Sequence, residues 1–160
     1  MNPPIQTYSF KNVSLNIDGR LITDYHEGDD VIVASRRNDT ASDVVGADGA
    51  MAIAVHADQS GTIKFKLKQT SGDSGFLYSL VNGMQTGGVI TVPKATISDA
   101  RRNEKAVGLW GYVLKPADMS RGKGINLQEW TLVFQSLNIS ADETSGAIGG
   151  LNAVRGTFGA

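Results

Sequence analysis

The segment Gly61–Lys68, GTIKFKLK, constrains the fold more than any other: Ile63, Phe65 and Leu67 alternate with Lys64, Lys66 and Lys68. A strand sends successive side chains to opposite faces, so this segment buries an apolar face and presents three ammonium groups on the other. The same period recurs along the chain. Tyr8 and Phe10 alternate, then Val13, Leu15 and Ile17 continue one residue out of phase, and a break at Lys11-Asn12 restores a single buried face. Asp18-Gly19 supplies turn chemistry after that strand. DVIVASR (Asp30–Arg36) reads as a strand buried on both faces, and VITVP as a strand stopped by Pro93. In AVGLWGYVLKP, Trp110, Tyr112 and Leu114 share a face. In LQEWTLVFQSLNI, Trp130, Leu132 and Phe134 share one, and a one-residue slip then leads to Leu137 and Ile139.

Met51, Ile53 and Val55 form a further apolar face, which the spacing pairs with Ile63, Phe65 and Leu67 through the connection Ala57–Gly61. One helix is expected where Phe76, Leu77, Leu80, Val81 and Met84 follow a helical period. Ser71, Asp73 or Ser74 caps its start and Gly87-Gly88 its end. The fold class is therefore mainly β: a sandwich or barrel of about seven strands with one flanking helix, judged by the spacing of turn signals. At 160 residues the chain forms one domain, 1–160. Its glycine-rich end, from about 140 to 160, orders as an arm only on a partner.

Side-chain chemistry points away from catalysis. With no cysteine there are no disulfides, thiolate metal sites or cysteine nucleophiles. Two histidines cannot supply a three-histidine zinc centre, and DYHEGDD (Asp24–Asp30) lacks calcium-loop spacing, so it reads as a solvated acidic loop. GDSG (Gly72–Gly75) is similar to the nucleophile stretch of chymotrypsin-like proteases, with His26 or His56 as imaginable bases. It opens a helix, however, where Asp and Ser are ordinary caps, and the chain is too short for two barrels. Asp142 and Glu143 adjoin in the tail, with no fixed spacing for acid–base work. The alternation favours core places for Trp110 and Trp130. Arg36-Arg37 and Arg101-Arg102 are short basic pairs of the surface kind. Fifteen basic against 16 acidic residues leave no basic excess for gripping nucleic acid. No apolar run approaches the 18 or so residues of a membrane span, and the first residues, MNPPIQTYSF, lack the pattern of a secretory signal. The expectation is a chain made in the cytoplasm, without catalytic residues, cofactor or metal.

The order of features is informative in itself. YSFKNVSLNIDG, VGADGAM before a long hairpin, SGTIKFKLKQTSGDSGFLYSL running from strand to helix, and a final EWTLVF strand together resemble the tail tube proteins of contractile-tailed bacteriophages. These are related in fold to type VI secretion tube proteins, and the resemblance spans about residues 7–139. It implies a virion structural protein that closes into hexameric rings stacked as the inner tail tube, the conduit for genome ejection. The implied partners are further copies of the chain, the sheath, tape-measure, baseplate and tail terminator proteins, and double-stranded DNA passing through without sequence-specific binding. The connection GYVLKPADMSRGKGINLQEW and the glycine-rich tail depart from the family pattern.

Within that frame, the polar segment Arg36–Ala50 is too long for a simple connection. Arg36, Arg37, Asp39, Asp43, Val44, Val45 and Asp48 are its inter-subunit contact residues, mobile in the monomer and ordered on contact. Lys64, Lys66 and Lys68 form the outer face of the hairpin and point away from the lumen, whose wall is expected to be neutral to acidic. The alternatives are another virion structural protein, sheath-associated or decorating, and a carbohydrate-binding β-sandwich with an exposed tryptophan as its platform.

Overall fold

The computed structural model describes residues 8–87, 92–100 and 103–141. Among them are nine strands and one α-helix: β1 (Val13–Ile17), β2 (Arg20–Ile22), β3 (Ile32–Arg36), β4 (Ala41–Val45), β5 (Met51–Val55), β6 (Gly61–Lys68), α1 (Asp73–Gly87), β7 (Val92–Asp99), β8 (Glu104–Lys115) and β9 (Leu127–Ala141). Seven strands form one antiparallel sheet in the order β2-β1-β7-β8-β9-β6-β3, and β4 pairs with β5 alone. The fold is mainly β as expected, but the large sheet is not closed: β2 and β3 are its edges.

Local chemistry explains most boundaries. The break between Phe10 and Val13 is a 3-10 turn, Phe10–Asn12, whose Lys11 N–H donates to Ser9 Oγ at 3.3 Å. Asp18 (φ 50°) and Gly19 (φ 84°) both take positive φ, which gives the primed turn matching the twist of the β1–β2 hairpin. β3 is half-buried rather than buried on both faces, because it stands at a sheet edge and pairs only with β6. Pro93 does not stop its strand. It sits inside β7 beyond the last β1 pair, Ile17↔Ala95, where the missing N–H costs no ladder bond on that side.

The helix forms where expected. Leu77 and Val81 are buried, while Phe76, Leu80 and Met84 are half-buried at their margin. Ser71 caps it by accepting from the Asp73 N–H at 3.2 Å. Asp73 acts as a fastener instead. Its carboxylate accepts from Arg20 Nε at 2.9 Å and from the Thr23 N–H at 2.8 Å, tying the helix start to the end of β2. Ser74 is not a cap either. Its buried hydroxyl donates to Oε1 of buried Gln128 at 2.6 Å, joining α1 to β9. The Tyr78 hydroxyl donates to the Ala117 carbonyl at 2.8 Å, and its ring meets Trp130 edge-on at 4.7 Å. Trp130, Phe65, Phe134 and Leu77 are fully buried in a single cluster that also holds Leu15, Ile17, Leu67 and Leu132. Each such side chain contributes about 1.5–3 kcal/mol by leaving water.

The one-residue slip in β9 belongs to a larger feature. Buried residues stand three apart in three adjacent strands, Val92 and Ala95 in β7, Gly108 and Gly111 in β8, and Phe134 and Leu137 in β9. Cross-strand pairs run unshifted through the line, Ala95↔Gly108↔Leu137 and Val92↔Gly111↔Phe134. All three strands therefore change frame together, and two side chains per strand point outward along one crease: Pro93-Lys94, Leu109-Trp110 and Gln135-Ser136. Trp110 carries the strain, with φ at 57°, a conformation that costs a bulky residue about 1–3 kcal/mol. The glycines make the crease possible. A Cβ on Gly108 would stand 2.6 Å from the Phe134 ring, and one on Gly111 2.3 Å from it. Trp110 is thereby expelled: it is 57% exposed, not in the core, whereas Trp130 is fully buried as expected. Trp110, Tyr112 and Leu114 do share a face, the outward one, with Tyr112 half-buried.

Candidate assembly surface

The segment read from sequence as a polar loop is half of a projecting arm. Met51–Val55 pairs with Ala41–Val45, not with Gly61–Lys68, and the turn between them is Gly46–Ala50. Asp48-Gly49 makes that turn as expected: the Ala50 N–H donates to Asp48 Oδ1 at 3.0 Å and Gly49 has φ 85°. The expected pairing fails because ASDVV, with its apolar residues crowded at one end, alternates weakly, whereas β5 and β6 each alternate strongly.

The arm continues the β3–β6 ladder. Arg36 pairs with Gly61 and Ala41 with Val55, so one extra residue lies on the β5–β6 side and the ladder bends there. The joint is well tied. The Arg37 N–H donates to the Ser60 carbonyl at 3.1 Å, Asn38 Nδ2 donates to Asp58, and the His56 N–H donates to the Thr40 carbonyl at 2.9 Å. The His56 ring bridges across, with Nδ1 at 3.0 Å from the Asp39 carbonyl and Nε2 at 3.2 Å from Ser42 Oγ. Hydrogen bonds from the Ser60 side chain and N–H, then from Asn38, hold the Asp58 carboxyl at a pKa of about 2. At about 3.3 Å per residue the arm reaches roughly 30–35 Å from Arg37 to its tip.

Both faces of the arm are exposed. Register places Val45, Met51, Ile53 and Val55 with Asp43 on one face, and Val44 with Ala52 and Ala54 on the other. Ile53 is 66% exposed and Val55 77%. A two-stranded ribbon is marginal in water by itself, and nothing among the described residues covers this apolar surface. The arm carries Asp39, Asp43, Asp48 and Asp58 and no Lys or Arg between Asn38 and Asp58.

The residues assigned to inter-subunit contact are thus gathered on one element but not on one face. Arg36 stays behind at the joint, where its Nε donates to the Leu137 carbonyl at 3.2 Å. Arg37 contributes its backbone to the joint, and Asp39, Asp43, Val44, Val45 and Asp48 lie along the arm to its tip. Lys64, Lys66 and Lys68 alternate with buried residues on the outward face of β6, in register with Thr131, Glu129 and Leu127 of β9. Leu109 and Trp110 are surface residues that strand alternation does not reveal. The signal that finds them is the three-residue spacing of Gly108 and Gly111, matched by Val92/Ala95 and Phe134/Leu137.

The groups weighed for catalysis do not converge. Ser74 is spent on Gln128, His56 sits at the arm joint, and His26 Nδ1 lies 2.8 Å from the Glu27 carbonyl. A cavity of about 1020 Å³ lined by Tyr8, Phe10, Tyr25, His26 and the acidic loop opens beside β6. Among the described residues no set of His, Asp and Glu is arranged to hold a metal ion. No described helix is long and apolar enough to cross a membrane. Asp142, Glu143, Arg101-Arg102, Gly88 and the tail beyond Ala141 lie outside the described residues.

Solved structures share this architecture at low identity, which shows the fold alone. The tube-terminating cap of the anti-feeding prophage superposes with a TM-score of 0.60 at 14% identity, over 89% of this chain and 94% of that one. A chain of the sheath–tube complex of an extracellular contractile injection system, in its extended state, gives 0.58 at 15% identity, over 87% and 93%. A chain of the native gene transfer agent virion gives 0.57 at 13% identity, over 85% and 99%. No curated protein matches the chain in sequence. Residues 5–141 match the family model described as bacteriophage PhiTE tail tube protein, a span that takes in every described element from the first turn to the end of β9, and the chain belongs to that tail tube family as a structural protein of the phage tail.

Proposed function

We propose that the chain is the repeating subunit of the inner tail tube, assembling into hexameric rings that stack into the conduit for genome ejection. The observation that supports this most is the arm: a braced ribbon with apolar side chains on both faces and nothing among the described residues of its own subunit to cover them. Such an element is a cost in a monomer and an asset in an array of identical copies. The role is non-enzymatic, and the tube sits in the virion between the sheath outside and, before ejection, the tape-measure protein inside, with baseplate and terminator proteins at its ends. DNA passes without sequence-specific contact, which a nearly balanced charge favours.

Electron microscopy of the purified protein tests the reading. Tubes of uniform width are expected, and replacing Asp39–Ala57 by a short turn should leave folded subunits that form none. Single rings that never stack would assign the chain to a tube end, and monomers at every concentration would refute self-assembly. The exposed Trp110 is the one feature that favours a carbohydrate platform instead. Pro93, Lys94 and Leu109 share the crease with it and half-buried Tyr112 follows two residues along the same face, and a change in its fluorescence on titration with oligosaccharides would revive that reading.

A further inference from the structure

The crease and the arm have complementary surfaces. The outward face of the large sheet carries Lys64, Lys66, Lys68, Lys94 and Lys105, and Glu129 is the one carboxylate that register places there among its described strand residues. Among the described residues the one salt bridge is Arg20–Asp73, which involves none of these lysines. In the middle of that cationic face the crease lifts Leu109 and Trp110 outward, and Lys94 lies directly opposite Leu109 in the ladder. The arm has the opposite character. One face offers Val45, Met51, Ile53 and Val55, and Asp39, Asp43 and Asp48 lie along a stretch that holds no Lys or Arg from Asn38 to Asp58.

We propose that the creased face of the sheet is the docking site for the β4–β5 arm of a second copy. The indole of Trp110 and the Leu109 side chain pack against the arm's apolar face, and Lys94 and Lys105 meet its aspartates. The inference rests on the reading of the chain as a self-assembling subunit and adds the receiving surface to it. The contact is heterologous, arm to sheet, so each copy both gives and receives, and the association propagates until it closes or runs on as a filament. The strained backbone of Trp110 has a purpose here: it places a large rigid aromatic at the centre of the contact, the kind of residue on which interface energy concentrates.

The two halves can be reversed separately. K94E/K105E turns the two cations beside the crease into carboxylates, and D43K/D48K makes the outer part of the arm locally basic, leaving Asp39 and Asp58 at the joint unchanged. Each variant alone should need at least about ten-fold more protein to assemble, and an equimolar mixture should recover, because arm–sheet contacts of opposite sign are again available in it. Sedimentation velocity reads assembly and circular dichroism confirms folding. Because the chain has no cysteine, Ile53→Cys with Leu109→Cys should also give intermolecular disulfide ladders on assembly. Trp110 emission should shift to the blue on assembly while that of buried Trp130, isolated in Trp110→Phe, stays unchanged. Wild-type protein that assembles while K94E/K105E assembles equally well, with no disulfide ladder, overturns the docking site alone. Wild-type protein that never assembles overturns the self-assembly reading and the docking site together.

Discussion

Gly111→Ala tests whether the crease is enforced by close packing. The added methyl would stand 2.3 Å and 2.5 Å from two atoms of the Phe134 ring and 2.7 Å from the Val133 carbonyl oxygen. Phe134 is fully buried and the Val133 carbonyl belongs to the backbone in the middle of β9, so neither side yields easily. Overpacking of this kind costs about 1–3 kcal/mol, and the backbone contact places Gly111→Ala at the upper end. Urea unfolding followed by Trp130 fluorescence measures it, with a midpoint shift at constant slope if folding stays two-state. A cycle with Phe134→Ala then identifies the clashing partner. Phe134→Ala alone should cost about 3–5 kcal/mol through the cavity it leaves. Once the ring is gone only the Val133 carbonyl still opposes the methyl, so the double variant should lie between Phe134→Ala and the sum, a coupling of about 1–2 kcal/mol. A loss under about 0.5 kcal/mol for Gly111→Ala, or strict additivity in the cycle, would refute the view that Phe134 dictates glycine there.

Other expectations follow from named contacts. Ser74→Ala should cost about 1–3 kcal/mol in chemical denaturation, because it strands buried Gln128 Oε1 without its donor; a neutral result would show that the Ser74–Gln128 bond carries no stability. Asp73→Asn should cost more than Arg20→Ala, since the carboxylate is 8% exposed and also accepts from Thr23, while the Arg20 side chain is 47% exposed and well screened; thermal unfolding that ranks them the other way would overturn this. Asp58 has its pKa lowered from 3.8 to about 2 in the folded arm. Its contribution is therefore present above pH 3.8 and is lost as pH falls toward 2, so the protection of the Ser60 amide, taken relative to the intrinsic exchange rate at each pH, should fall across that window and not above it. Burial, and secondarily the charge of Asp73, raise the Tyr25 pKa well above 10. The folded state then holds a proton that the unfolded chain releases, so stability should fall as pH rises beyond about 10, and Tyr25→Phe should flatten that fall in alkaline denaturation.

Short-range chemistry was readable directly from the sequence. The strands at Val13–Ile17, Gly61–Lys68 and Leu127–Ala141, the helix from Asp73, the turns at Asp18-Gly19 and Asp48-Gly49 and the buried place of Trp130 all depend on period, caps and φ preferences that neighbouring residues set. The slip between Phe134 and Leu137 was also visible, because a strand buried on one face shows any change of frame in its pattern. Which strand pairs with which was not. Met51–Val55 alternates as well as any strand, yet nothing within it distinguishes Ala41–Val45 from Gly61–Lys68 as its partner, since pairing is settled by the turn at Gly46–Ala50 and by what remains for β6 to join. The Ser74 hydroxyl likewise reads as a cap until Gln128, 54 residues away, is brought beside it. Trp110 shows the limit most clearly. Sharing a period with Tyr112 and Leu114, it reads as a core residue, and only the Phe134 ring, arriving from another strand to fill the space above two glycines, turns it out to the surface.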